Sequence, residues 1–509
     1  MPAECIDKIA SFLRRSDVEL YFQIHPNQVA LPSFNPPSEW EYWWNWAGQP
    51  LDESSSSNSW CTTKWQLLWL YYKRESPPNW IPFPHEGIFE DIPVELRNLI
   101  DQARSLTIPR DSILDDSLAI PARYRTSGMS PKKAHEVLRM TGFIANLIET
   151  SELKPRHVVD IGAGQAYLSR NLRDELGFHV LALDFSEVQT HGAARREESN
   201  KRSTKQLKQA NDVQIDGQIP LATDLNLGTL NYETITIDAD SLVSVTNRWM
   251  TNEKTLSSTT PNEGPTPILW VALHACGSLT LDILRAFAGR LQQKDRSLNW
   301  IPVGAVIVGC CYNMLRPEDR VLTRKDVTLT PNHLQLAAQT PDQWATSPAK
   351  FEETRLAMRK VVWRALLERV LAGSIVPQLS LNCSETDGPC SVSRPEVKRL
   401  GRLNDGAYTN WEQFVSRAEE KMGVSLLGEE TSSAGTKGSA LESRLEVFHV
   451  LRCILGPIVE SFILLDRQHW LREKLKGSER ETNVRLVNLF EQEAGSGRNV
   501  GIVASVVVE

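Results

Sequence analysis

One segment constrains this chain more than any other: Val158-Val159-Asp160-Ile161-Gly162-Ala163-Gly164-Gln165-Ala166-Tyr167-Leu168-Ser169. The apolar run into Ile161 predicts a buried strand, and Leu168, Leu172 and Leu176 recur at helical spacing behind it. Between them, glycines at alternate positions predict a tight turn with room for a ligand against the backbone. The amides opening the helix then face that space. A second strand-like run, residues 178–184, ends in Asp184, 24 positions after Asp160. A carboxylate at that place accepts both hydroxyls of a ribose. Strand, turn, helix, strand and terminal acid together predict a nucleotide-type cofactor site at the carboxyl edge of a parallel sheet.

Two cofactors use such a turn. A dinucleotide site requires G-x-G-x-x-G, whose third glycine lets the helix approach a pyrophosphate. Counted from Gly162, that position is Tyr167, which disfavours a nicotinamide-dependent oxidoreductase. Asp160, Gly162, Gly164 and Ala166, with Ala163 between the glycines, instead resemble the acidic-x-Gly-x-Gly-x-small loop of class I S-adenosylmethionine-dependent methyltransferases. Ala166 departs from the commoner glycine but stays small. Asp238, in Ile235-Thr236-Ile237-Asp238-Ala239-Asp240, is the candidate partner of an adenine amino group; an exposed strand end is the competing reading.

The fold class expected is α/β: a Rossmann-like sheet with an N-terminal helical region and a helical insertion. A length of 509 residues calls for two or three structural units. Residues 1–125 are Trp-rich; Trp40, Trp43 and Trp44, and Trp65 and Trp69, have helical spacings that predict a packed helical unit rather than a stacking surface. Residues 126–345 hold the sheet core, interrupted by polar insertions at about 187–227 and 251–266. The first insertion carries Lys201, Arg202, Lys205 and Lys208, read as a solvated run. Residues 346–482 read as a helical insertion and 483–509 as the final strands. Serine-rich 52–59 and residues 383–395 and 428–438 read as linkers or loops.

Net charge of −7 does not indicate a strongly basic nucleic-acid binder and leaves room only for a local basic patch. Eight cysteines, two of them adjacent, make a poor disulfide framework and fit a reducing compartment. The N-terminus has neither signal nor transit character, and no run of about 18 uncharged apolar residues occurs. The expected location is therefore intracellular, cytoplasmic or nuclear, with no membrane partner. Residues 453–465 contain Pro457 and Glu460 and read as a buried helix.

Four segments, taken together, resemble the methyltransferase-like 25 family, which includes proteins named after a ribosomal RNA adenine dimethylase domain. They are residues 129–137 (Met-Ser-Pro-Lys-Lys-Ala-His-Glu-Val), the loop at 160–169, Leu273-His274-Ala275-Cys276-Gly277, and Val308-Gly309-Cys310-Cys311-Tyr312-Asn313. Residues 456–461 and 464–467 look like the family's helical tail. The resemblance covers roughly residues 126–509. It implies a class I methyltransferase fold with S-adenosylmethionine as cofactor, and brings no substrate: RNA, protein and small molecules all remain open as acceptors. N6-adenine methylation uses an Asn-Pro-Pro-Tyr-like element where this chain has Leu273-His274-Ala275-Cys276, so base N6 chemistry does not carry over. A non-catalytic scaffold that keeps the fold is the rival function; intact Asp160, Gly162, Gly164 and Asp184 count against it.

Two predicted neighbouring strands end at His274-Ala275-Cys276 and at Cys310-Cys311, so these residues converge on the ligand crevice. The spacing is not that of a zinc module, and consecutive cysteines on an extended chain point opposite ways. The reading is accordingly a shaped pocket with no metal. In it His274 takes a proton where the nucleophile needs it, Tyr312 offers an aromatic face and Asn313 an amide that donates and accepts. Tyr312 packed in the interior and Asn313 capping a turn form the alternative. Lys132 and Lys133 stand in a first helical turn, against the dipole, where an anionic ligand gives them a purpose. His135-Glu136 is not a metalloprotease motif, since Arg139 occupies the place of the second His.

Overall fold

The computed structural model describes residues 3–51, 61–81, 86–111, 128–198, 228–256, 264–293, 298–380, 398–426 and 439–507. The serine-rich stretch 52–59, the basic residues 201–208 and the loops at 383–395 and 428–438 lie outside them. The chain forms two compact units. One comprises Met1–Ile6, Pro109–Thr328 and Ser461–Glu509; the other comprises Asp7–Ile108 and Leu329–Glu460.

The first unit is built on one seven-stranded sheet. Its strands are β1 (His157–Ile161), β2 (His179–Asp184), β3 (Leu230–Thr234), β4 (Thr266–Cys276), β5 (Trp300–Cys310), β6 (Thr482–Asn488) and β7 (Val500–Val506). Their spatial order is β3-β2-β1-β4-β5-β7-β6, and β7 alone runs opposite to the other six. This is the Rossmann-like α/β sheet that the loop and strand pattern predict. β1 and β2 are buried beyond their first residues, as strands covered on both faces must be. From β1 the chain winds outward through β2 to β3, then returns to β4 on the other side of β1. That reversal opens a crevice at the carboxyl ends of β1 and β4.

The helix Pro131–Glu149 starts where Ser130 accepts a hydrogen bond from the Lys133 amide, with proline in the first turn. Its Val137, Met140, Phe143 and Ile144 join Leu168 and Leu172 of the helix Tyr167–Leu176 over Val158, Val180, Val271, Val306 and Val503. Each such buried side chain contributes roughly 1.5–3 kcal/mol. The helix Leu279–Gln292 sets Phe287 edge-on to Trp270 of β4. The polar stretch at 251–266 divides in the structure: the helix Ala239–Leu256 runs through its first part, and β4 begins at Thr266.

In the second unit, Tyr21, Trp40, Trp43 and Phe448 stack into one aromatic cluster. Trp69, in the helix Lys64–Lys73, donates to the Pro341 carbonyl at 2.9 Å, and Trp80 donates to that of Ala345 at 2.7 Å. The Trp-rich segment and the helices after residue 329 thus share a core. Gly456 lets a helix approach closely, because a Cβ there would sit 2.1 Å from the Leu336 carbonyl oxygen. Among the described residues, one helix, Ala440–Leu475, is long and apolar enough to cross a membrane; 94% of its apolar window is buried inside the protein.

Candidate functional site

The loop after β1 is held by its neighbours in sequence and in the sheet. The amides of Gly162 and Ala163 both donate to the Leu183 carbonyl at 2.9 Å. The Gly164 amide donates to Asp184 Oδ2 at 2.8 Å, and the Ser186 amide to Asp184 Oδ1 at 2.9 Å. Asp184 thereby clamps the turn, and its oxygens retain lone pairs for further donors. Gly162 (φ +73°) and Gly164 (φ +53°) occupy the left-handed region, where glycine is favoured. A Cβ on Gly164 would meet nothing within 4 Å, so the turn opens onto free space there. Ala166 adopts φ +53° as well, and its methyl is buried beside Ala182 and Ala193. Tyr167, at the third position of the dinucleotide pattern, donates to the Gly128 carbonyl at 2.6 Å.

The other predicted acids separate. Asp160 is buried and accepts from Ser169 Oγ at 2.5 Å; burial pushes its carboxyl up to about 6 despite that bond. It braces strand to helix from beneath the loop. Asp238 is exposed and caps the helix Ala239–Leu256: Oδ1 accepts the Ser241 amide at 2.8 Å and Ser241 Oγ accepts the Asp238 amide at 2.9 Å. Donation from the Ser241 amide and hydroxyl holds its carboxyl below the usual range.

Across the crevice, the pairing of β4 with β5 slips between Ala272 and Ala275, and this irregularity presents His274. His274 Nε2 lies 3.0 Å from Glu136 Oε2, which also receives Lys133 Nζ at 3.2 Å. Burial alone raises the Glu136 carboxyl; His274 and Lys133 together outweigh it and bring it below the ordinary value. The first-turn Lys133 thus answers a buried carboxylate. Glu136 Oε1 is buried with no hydrogen-bond partner. The carboxylate lies one turn before Met140 on the buried face of its helix, a placement visible in the sequence as a charge within an apolar stripe.

At the end of β5, Cys311 turns into the left-handed region (φ +49°), and Tyr312–Met314 form a 3-10 turn. Tyr312 is interior, not on the rim: its ring lies 5.6 Å from the Arg467 guanidinium carbon. Asn313 and Met314 are exposed. Gly277 and Cys310 join the two loops through a 2.9 Å backbone hydrogen bond. The left-handed turn brings the sulfurs of Cys276, Cys310 and Cys311 within 4.8 Å of one another, a convergence that extended geometry would not give. With Cys310 as hydrogen-bond donor, the Cys276 thiol is lowered to about 6 and the Cys310 thiol is raised.

Sequence reasoning does not single out Phe185. It follows Asp184 directly and stands 79% exposed, with Val188, in the first turn of the helix that follows, 78% exposed and Met314, in the 3-10 turn after β5, 62% exposed. An aromatic residue just after the strand-ending acid is its signal.

The family described as a methyltransferase domain matches residues 132–318. The chain is 24% identical over 447 residues to the human protein named "Probable methyltransferase-like protein 25", covering 68% of this chain and 70% of that one. It is 22% identical to the mouse protein of the same name, covering 68% and 71%. No solved structure matches.

Proposed function

We propose, from the match of residues 132–318 to a methyltransferase family and the similarity to the methyltransferase-like 25 proteins, that the chain transfers a methyl group from S-adenosylmethionine to an acceptor at the carboxyl edge of β1 and β4. The observation that carries this reading is the clamp of Asp184 on the Gly164 amide, beside open space and an exposed aromatic ring. Asp184 accepts the ribose hydroxyls, the Phe185 ring stacks on the adenine face, and Gly162 and Gly164 leave room for the methionine part. Asp160 supports the loop from below. The bound cofactor supplies an electrophilic methyl on a sulfonium. The protein's part is to orient the acceptor in line and exclude water. His274, whose Nε2 donates to Glu136, takes the acceptor's proton at Nδ1, and Asn313 hydrogen-bonds the acceptor from the rim. Tyr312 supports the turn that carries Asn313.

Calorimetric titration with S-adenosylmethionine and its demethylated product tests cofactor binding. Gly162→Val should abolish binding in a folded protein; wild-type affinity in that variant would refute the site. A dinucleotide that stabilises the protein, with no response to S-adenosylmethionine, would favour the oxidoreductase reading. Tritiated donor with fractionated cell extract then separates an enzyme from a scaffold: RNA, protein or small-molecule label identifies the acceptor, and donor binding without any transfer defeats the catalytic reading.

A further inference from the structure

Cys276 and Cys310 are register partners at the ends of adjacent parallel strands, with their sulfurs 3.3 Å apart. The third sulfur arrives because Cys311 holds a left-handed backbone conformation that residues other than glycine seldom adopt. All three sulfurs then lie within 4.8 Å of one another. A tetrahedral centre with metal–sulfur bonds of about 2.3 Å has sulfurs about 3.8 Å apart, so small side-chain adjustments suffice for one ion to touch all three.

A second observation concerns charge. Arg467 is 1% exposed, and none of its guanidinium nitrogens has a hydrogen-bond partner. It lies against the end of β5: a Cβ on Gly309 would sit 3.2 Å from its Nη1. Its nearest acids are engaged elsewhere, Asp319 with Arg285 and Arg316, Asp466 with the Leu322 and Thr323 amides. Asp466 and Asp319 therefore act on it only through space, and a buried guanidinium with no hydrogen-bond acceptor is costly. Three thiolates around a divalent ion carry one net negative charge, which Arg467 matches.

We propose that Cys276, Cys310 and Cys311 form a three-thiolate site for a soft, thiophilic cation such as Zn²⁺, with Arg467 as its counter-charge. His274 is turned to Glu136 and is not a ligand. Three protein ligands leave the fourth tetrahedral position to water or a substrate atom, the pattern of open rather than closed zinc sites. Binding releases the three thiol protons to solvent and involves no oxidation.

The test uses full-length protein, reduced, stripped with chelator and titrated with Zn²⁺ and, separately, Co²⁺. The expected result is one ion per chain and, for Co²⁺, a sulfur-to-metal charge-transfer band of thiolate intensity. Cys276→Ser and Cys311→Ser, which alter side chains that are not fully buried, should each lower Zn²⁺ affinity by about a hundredfold or more, beyond what loss of a supporting group costs. Arg467→Met should lower it about tenfold; Cys5→Ser should leave it unchanged. The proposal fails if reduced protein takes up no stoichiometric Zn²⁺, if uptake is insensitive to Cys276→Ser and Cys311→Ser, or if it instead follows Cys383→Ser or Cys390→Ser. Cys310→Ser alters a buried strand end, so the other two cysteine substitutions are the deciding ones.

Discussion

Asp160 and Asp184 end neighbouring strands but meet different surroundings, and that difference separates their roles. Asp184 engages the Gly164 and Ser186 amides at the rim. Asp184→Ala should weaken S-adenosylmethionine binding by roughly 1–3 kcal/mol, the scale of losing a charged hydrogen-bond partner; an unchanged dissociation constant in calorimetry would move the ribose elsewhere. Asp160 holds its proton more tightly folded, at about 6, than at the ordinary 3.8. Its contribution to stability is therefore present at low pH and lost as pH rises through about 6. Asp160→Asn keeps an acceptor for Ser169 and removes the buried charge. Compared in urea at about pH 4 and about pH 7, the variant should gain on wild type by up to roughly 3 kcal/mol at the higher pH; parallel pH profiles would contradict this. Both acids are legible from motif position. Glu136 and Phe185 leave only weak signals, a charge within an apolar stripe and an aromatic residue after a strand-ending acid, because neither burial nor exposure is written in residue type. The rim role expected of Tyr312 depends on which way a turn points, something residue type alone does not encode.

Among the elements, the loop after β1 resolves why alanine stands at position 166. A left-handed alanine costs about 1–2 kcal/mol. Glycine there would remove that strain but lose a buried methyl, about 0.8 kcal/mol, and add chain entropy to the unfolded state, about 0.5–1 kcal/mol. The terms nearly cancel, so Ala166→Gly should leave the denaturation midpoint within about 1 kcal/mol of wild type; a larger shift would mean that the pocket with Ala182 and Ala193 repacks. Elements with continuous apolar faces are readable from sequence: β4, β5 and the helix Ala440–Leu475 follow their apolar runs. β3 is not. Its sequence, Leu-Asn-Tyr-Glu-Thr, lies at the sheet edge and is buried at no position, so no apolar pattern marks it. The convergence of three thiols is invisible for another reason: it depends on one left-handed residue, Cys311, inside what reads as an extended run.

At the scale of the whole molecule, each compact unit is assembled from distant parts of the chain. Trp69 and the Pro341 carbonyl belong to one core though 272 positions separate them. Trp69→Ala should therefore cost about 3–5 kcal/mol, read as a lower denaturant midpoint; a loss below about 1 kcal/mol would show that the cavity closes. The matched domain, residues 132–318, likewise stops short of the sheet. A fragment of residues 126–345 would leave β5 without the partner that pairs Gly304–Val308 with Gly501–Ser505. It should self-associate on a sizing column, and joining residues 461–509 through a linker should restore a monodisperse species; a monodisperse, cooperatively folding fragment would refute this. The same arrangement governs how the chain is made. β5 is complete at Cys310, but its last partner ends at Val506, so at 5–20 residues per second roughly 10–40 s of synthesis pass with that edge of the strand unpaired. Through that interval the nascent chain carries an apolar edge open to any neighbouring strand. A ribosome that stalls after Cys310 but before Val500 therefore releases a product with an aggregation-prone edge. Demand for a chaperone should peak there, during translation, rather than on the finished protein.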